Sequence, residues 1–350
     1  MSTATGPVLR GVVAGLGVMG THHVRVLRSM EGVELAAVVD PDAARREVAE
    51  AAHPGLRAYP SLEACLAAEQ LDFAGLAAPV GALPALAAVA LAGGLHVLVE
   101  KPTASTEAAA LAMIAHAEAR GLVLGVGHIE RCNPAVIALK RKIDDGAIGN
   151  VLQMHARRLS PFPNRQGSHG VALDLSTHDI DVMRYVTGQE VARVYAETEW
   201  PLGGVPEHED ILCATLRFDG GAVGLLETNW MTPTKVRQLS VLGDRGMLVV
   251  DYLTQDLSLY QHPTRAPGWD HLAAIRGGGE GDTIQFGLDR REPLRVEWEQ
   301  FLDALRSGGP APISGRDGLA ALSTALAIRA SSAGHSAVVP GYRGALDAAA

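Results

Sequence analysis

The sequence predicts an α/β chain in two parts: a doubly wound parallel sheet, then an α+β region built on a large, mostly antiparallel sheet. Two observations carry this. Over residues 1–128, short apolar runs alternate with helical stretches, the pattern of strand–helix–strand units. After Gly149, strand-like segments follow one another through hairpin signals such as Asp219-Gly220-Gly221 and Gly243-Asp244-Arg245-Gly246. The expected division is therefore residues 1–128 and 129–350, with the last helices returning to the first part.

In order, residues 9–15, 33–40, 73–78, 96–100 and 122–127 read as strands, and 18–30, 41–52, 79–92 and 105–120 as helices between them. Asp40 reads as the cap of the second helix, with Pro41 in its first turn. Asn133-Pro134, a capping residue followed by proline, starts a helix to about Asp144. Strands are expected at 151–159, 191–200, 211–218, 222–230, 236–242, 247–252 and 257–260, interrupted by one helix at 173–186. Residues 262–295, rich in glycine, proline and charge, read as loop, and helices at 296–307 and 315–333 close the chain.

The bulk properties set limits. A net charge of -9 argues against a nucleic-acid-binding surface. Cys65, Cys132 and Cys213 are far apart and form no CxxC pair, which fits a reducing, cytoplasmic compartment. The start of the chain lacks a basic segment followed by an apolar core, and the apolar stretch 83–98 is broken by Pro84 and Gly93-Gly94, so no secretory signal or membrane span is expected. No group of cysteine, histidine and acid has metal-ligand spacing.

Gly15-x-Gly17-x-x-Gly20 lies between an expected strand and helix, the context in which this motif binds a dinucleotide in a Rossmann fold. Gly15 permits the tight turn, Gly17 lets the backbone approach a pyrophosphate, and Gly20 lets helix pack on strand. Val18 and Met19 open that helix, whose amides favour phosphate charge. Asp40, ending the second strand, can accept both ribose hydroxyls and repels a 2'-phosphate, which favours NAD over NADP. Arg45 and Arg46 oppose that preference but read as a solvated helix face, and His22 and His23 as surface or packing residues. Pro79, Glu100 and Lys101, at or just past strand ends, complete the expected cofactor contacts.

Lys101 stands out because lysine is scarce here: the others are Lys140, Lys142 and Lys235. A lysine at the carboxyl end of a parallel strand sits where open α/β sheets bind ligands, and it can exchange a proton where arginine cannot. Asp174 and His178, four residues apart at the start of the lone helix of the second part, share one helix face. Imidazole titrates near neutrality and can relay a proton while the carboxylate orients it.

Gly15-Leu16-Gly17-Val18-Met19-Gly20, Glu100-Lys101-Pro102 and Asp174-Leu175-Ser176-Thr177-His178 together resemble the glucose-fructose oxidoreductase/inositol dehydrogenase/rhizopine-catabolism (Gfo/Idh/MocA) family along nearly the whole chain. The resemblance implies a nicotinamide cofactor, oxidation or reduction of a secondary alcohol on a sugar or cyclitol, and catalytic roles for Lys101, Asp174 and His178. It also implies a sheet that often forms an oligomer face, hence a homo-oligomer, dimer or tetramer. Segment 222–230, apolar on more positions than one buried face requires and including Trp230, agrees with that. Segments 127–136, 157–165 and 229–237 are similar to those of the UDP-N-acetylglucosamine 3-dehydrogenases and related nucleotide-sugar enzymes. Cys132 and the segment Pro79-Val80-Gly81-Ala82-Leu83-Pro84 depart from that pattern.

On this reading a base takes the hydroxyl proton of a small-molecule substrate while a hydride leaves its carbinol carbon. His178 is the expected base and Lys101 polarises the oxygen, although the two could exchange roles. Arg131, Asn133, Arg157, Arg158 and Arg165 are candidate substrate contacts, the arginines because guanidinium binds phosphate bidentately. The alternatives are a dehydrogenase of a cyclitol, sugar phosphate or nucleoside 5'-phosphate, or a cofactor-binding regulator without turnover.

Overall fold

Runs of Val, Ala and Leu that are buried on both faces build a six-stranded parallel sheet, as parallel strands between two helical layers require. The computed structural model describes residues 7–162, 169–202, 208–262 and 281–347. The strands are β1 (Leu9–Ala14), β2 (Val33–Val39), β3 (Arg57–Tyr59), β4 (Phe73–Leu76), β5 (His96–Glu100) and β6 (Leu124–Gly127), in the order β3-β2-β1-β4-β5-β6. Helices α1 (Val18–Arg28), α2 (Ala43–Ala52), α3 (Leu62–Ala68), α4 (Leu83–Ala92) and α5 (Glu107–Ala119) connect them. The order reverses between β1 and β4, so the loops after those strands flank the crevice where such sheets take their ligands.

The chain divides into two compact units, residues 1–129 with 292–323 and residues 130–291 with 324–350. The first unit thus includes α8 (Pro293–Ser307) and the start of α9 (Gly315–Gly334). Trp298 of α8 is fully buried, with ring centroids 5.5 Å from Phe73 and 5.7 Å from Phe301. Its indole N–H donates to His23 Nδ1 at 2.9 Å, and His23 Nε2 lies 2.9 Å from Glu100 Oε1. Indole nitrogen only donates, so His23 carries its proton on Nε2 and gives it to Glu100.

In the second unit an eight-stranded sheet runs β14-β13-β12-β11-β7-β10-β9-β8. Its strands are β7 (Val151–Pro161), β8 (Val191–Glu199), β9 (Ile211–Phe218), β10 (Val223–Asn229), β11 (Met231–Gly243), β12 (Gly246–Asp251), β13 (Asp256–Gln261) and β14 (Thr283–Phe286). Only β7 and β10 pair in parallel. Helices α6 (Pro134–Asp144) and α7 (Thr177–Thr187) pack on this sheet, and α10 (Tyr342–Asp347) follows near the end of the chain. No helix among the described residues is long and apolar enough to cross a membrane.

Several local expectations are corrected. The cap of α2 is Asp42, whose Oδ1 accepts from Ala44 N at 2.9 Å; Asp40 is still part of the turn before it. Elements β3, α3 and α10 are additional to the sequence reading, and β14 lies within the stretch read as loop. Trp230 is buried, so it does not add to an open sheet face; the half-buried apolar residues of β10 are Val223 and Leu225.

Glu297 of α8 is buried, and neither carboxylate oxygen has a hydrogen-bond partner among the described residues. Burial, then the charge of Glu100, pushes its carboxyl well above the ordinary glutamate value. The native state therefore holds a proton that the unfolded chain releases at the ordinary value, so stability falls as pH rises through the interval between the two. Glu297→Gln, neutral and of equal shape, should lose less stability than the wild type as pH rises above the ordinary glutamate value, in urea unfolding. Parallel pH curves would show that Glu297 is not protonated in the fold.

Candidate active site

The Gly-rich turn is built by exclusion. Gly15 has φ +96°, a left-handed conformation that favours glycine, and a Cβ there would lie 2.4 Å from Ala77 O. A Cβ on Gly20 would lie 1.7 Å from Gly15 O, whereas one on Gly17 meets nothing within 4 Å. The first and third glycines thus close the turn, and the second leaves its surface open. Gly17 caps α1 without a side-chain bond, and the amides of a first helical turn have no intrahelical acceptor. An open backbone beside such amides fits a pyrophosphate.

Asp40 is buried at the end of β2, where Oδ2 accepts Leu16 N at 2.7 Å and Oδ1 accepts Asp42 N at 2.9 Å. It fastens the Gly-rich turn to the neighbouring strand, and each oxygen retains a lone pair for a ribose hydroxyl. Arg45 Nη1 stands 3.7 Å from Asp40 Oδ2, and Arg46 donates to the carbonyls of Asp40 and Pro41 at 2.7 and 3.0 Å. Arg46 is therefore claimed by backbone rather than solvent. Pro79 is exposed just beyond β4.

At the end of β5, Glu100 accepts from His23 through Oε1 and from Lys101 N through Oε2, the latter at 3.2 Å. A Cβ on Gly127 of β6 would come within 3.1 Å of this carboxylate. Glu100 thus braces the turn that presents half-buried Lys101, whose bond to Pro102 is cis. His23, expected as surface or packing, is the inner anchor of that brace.

In the second unit, Asp174 lies in a wide π turn, Ala172–Ser176, that runs directly into α7, and His178 is in the first turn of α7. At either helical pitch a spacing of four keeps both side chains on one face, and π turns recur at functional sites. Both residues are half-buried.

Glu209 holds this turn from below. Its Oε1 accepts Ala172 N at 2.7 Å, its carbonyl accepts Val171 N at 2.9 Å, and Arg329 of α9 donates to Oε2 at 3.1 Å. Burial pushes the Glu209 carboxyl up, while Arg329 and the amides hold it back. Arg329 also donates to the His169 carbonyl. The His169 ring is pushed down by burial, then by His208 and Arg329, against the charge of Asp174. Sequence reasoning missed Glu209, Arg329 and His169, because they come from three distant stretches with no shared spacing.

The expected substrate contacts fare differently. The Arg131 guanidinium grips Asp181 bidentately at 2.6 and 2.5 Å, under cover, with its carbon 5.2 Å from the Tyr185 ring centre. Asn133 caps α6 through Ala135 N and donates to Tyr252 O, so both ends of its amide serve the fold. Arg157 pairs with Glu227 at 2.9 Å. Its neighbour Arg158 reaches Asp179 of α7, and successive strand residues face opposite ways, so Arg157 faces away from α7. Arg165 lies outside the described residues.

Residues 9–128 match a family model described as "Oxidoreductase family, NAD-binding Rossmann fold", and residues 136–249 match the GFO/IDH/MocA C-terminal domain. The UDP-N-acetylglucosamine 3-dehydrogenase of Acidithiobacillus ferrooxidans is 30% identical over 92% of this chain and 96% of its own length. Its crystal structure superposes with a TM-score of 0.81, covering 92% of this chain and 97% of that one at 28% identity. The myo-inositol 2-dehydrogenase of Thermotoga maritima is 26% identical over 89% of this chain and 92% of its own length.

Glu209→Gln keeps an acceptor for Ala172 N but removes the charge that Arg329 meets. A misplaced Asp174 should then lower turnover about 10-fold or more, with NAD affinity by fluorescence unchanged. Wild-type turnover in the folded variant would remove Glu209 from this positioning role.

Proposed function

The chain belongs to the Gfo/Idh/MocA family of NAD-binding oxidoreductases, acting on alcohol groups, and from that premise we propose that it oxidises a secondary hydroxyl, at C3, of a nucleotide sugar such as UDP-N-acetylglucosamine. The supporting observation for this substrate class is the 30% identity to a UDP-N-acetylglucosamine 3-dehydrogenase, spread over 92% of the chain. A cyclitol or other uncharged polyol is the second reading. It is favoured by the carboxylates that already hold Arg131 and Arg158, and by the similarity to a myo-inositol 2-dehydrogenase.

The Gly-rich turn, the first amides of α1 and Asp40 hold the cofactor. When bound, NAD supplies the two-electron acceptor for the carbinol carbon. His178 takes the hydroxyl proton, Asp174 orients the imidazole, and Lys101 polarises the substrate oxygen. Cys65, Cys132 and Cys213 form no disulfide among the described residues, which fits a reducing cytoplasm.

We also expect a homo-oligomer through the sheet of the second unit. The face turned from α7 carries Tyr195, Leu225, Leu242, Met247 and Val249, all at least partly accessible and aligned across the strands by register. Light scattering should give a dimer or tetramer at micromolar concentration; a monomer would overturn this.

A screen for NADH formation should give higher kcat/KM with a nucleotide sugar than with any inositol or free sugar, and the reverse order would establish the second reading. Lys101→Ala should lower turnover by ~10²–10⁴ while NAD binding persists. If activity lost in His178→Asn returns at high pH, histidine is the proton acceptor; activity that persists with the wild-type pH profile transfers that role to Lys101.

A further inference from the structure

The arginines of the second unit on the helix-bearing face of the sheet are nearly all committed to carboxylates. Arg158 is buried and gives Nε and Nη2 to Asp179 at 2.6 and 3.0 Å and Nη1 to Glu130 at 3.0 Å. Arg131 is committed to Asp181. Arg237 is different. It stands directly opposite Arg158 in the β7–β11 pair, so its side chain leaves the same face of the sheet. That face carries α7, and Asp179, which Arg158 holds, follows His178 directly in the chain. Arg237 thus lies on the sheet beside the first turn of the catalytic helix.

Among the described residues its hydrogen bonds are limited to two main-chain carbonyls, both reached through Nη1: Leu159 O at 2.7 Å and Val236 O at 2.9 Å. These bonds fix the guanidinium plane. Nε and Nη2 have no protein acceptor among the described residues, and no carboxylate pairs with the group. The side chain is half-buried, and burial, then the charge of Arg158, pushes its guanidinium down to about 10, against Asp179 and Glu130. A covered cation without a counter-ion of its own is costly until an anion completes it. Tyr252 lies beside Arg237. Its amide donates to Arg237 O at 2.9 Å, and its ring lies under Arg158. Its hydroxyl is buried without a hydrogen-bond partner among the described residues.

We infer that Arg237 is the anion contact of the substrate site, pre-set by Leu159 and Val236 to receive two oxygens of a phosphate or carboxylate on its remaining N–H groups. This rests on the dehydrogenase reading and narrows it to an anion-bearing sugar. It also replaces Arg131 and Arg157 as the cationic contact. The charges facing Arg237 are those of Arg158, Asp179 and Glu130; the two carboxylates are spent on Arg158, so an arriving anion meets Arg237 as the uncommitted partner.

The test titrates the full-length, NAD-saturated protein with UDP, inorganic pyrophosphate and citrate by calorimetry. The wild type should bind at least one anion saturably, and Arg237→Gln should weaken that binding about 10- to 100-fold. Arg237→Lys, which keeps the charge but loses the fork, should fall between them. An unchanged unfolding midpoint with NAD present certifies the fold of each variant. Preference for UDP and pyrophosphate over citrate assigns a phosphate, and the opposite order a carboxylate. Equal anion affinity in Arg237→Gln and wild type, or no anion binding by the wild type, overturns the site. NADH formation by the wild type is a separate measurement, so the site can fail while the dehydrogenase reading stands.

Discussion

A buried carboxylate that accepts main-chain N–H groups is the interaction on which the functional parts of this chain depend. Asp40 takes the amide of Leu16 and so fixes the Gly-rich turn. Glu100 takes the amide of Lys101 and fixes the turn that presents it. Glu209 takes the amide of Ala172 and fixes the turn that carries Asp174. Turns of this kind leave amides without regular partners, and water cannot serve them where they are covered. A carboxylate satisfies them more strongly than a neutral acceptor and directs the chain at the same time. Each brace is itself met by a donor of another element: Arg45 near Asp40, His23 on Glu100, Arg329 on Glu209.

The same economy governs the arginines. Arg131, Arg158 and Arg184 are covered, and each grips an acid bidentately: Asp181, Asp179 and Glu190 respectively. Removing one partner of such a pair strands a charge, at a cost of about 3–5 kcal/mol, so these pairs constrain the fold more than they add net stability. They tie the turn before α6, α7 and the sheet into one arrangement. A positive side chain near α7 is thus more often an internal strut than a surface for ligands.

How much of this was legible follows from the range of each interaction. The parallel sheet, the Gly-rich turn and the pairing of Asp174 with His178 are set by periods of two to four residues, and sequence spacing reports those directly. The cap of α2 was misread by two positions because Asp40 and Asp42 flank one proline and only coordinates show which oxygen meets Ala44. Arg157 and Arg158 look alike in sequence, yet one-residue alternation sends one to each side of the sheet. Glu209 and Arg329 were invisible: their link to Ala172 spans 37 and more than 100 residues, and no local pattern announces it. Arg237 has no signal of its own in the sequence; its distinction is the lack of an acid, which sequence does not display.

The π turn before α7 holds one residue more per turn than an α-helix would. Such an extra residue behaves like an inserted link whose deletion lets the helix close normally. Everything on its N-terminal side would then swing by about 100° about the axis, the rotation of a single helical position. Val171, ahead of the turn, would lose its alignment with Glu209. A single-residue shortening anywhere in Ala172–Ser176 is thus a phase error: it keeps the helix but turns its lead-in away from the carbonyl of Glu209 that receives Val171. Lineages that keep the chemistry are bound to keep the length of this turn more strictly than its letters.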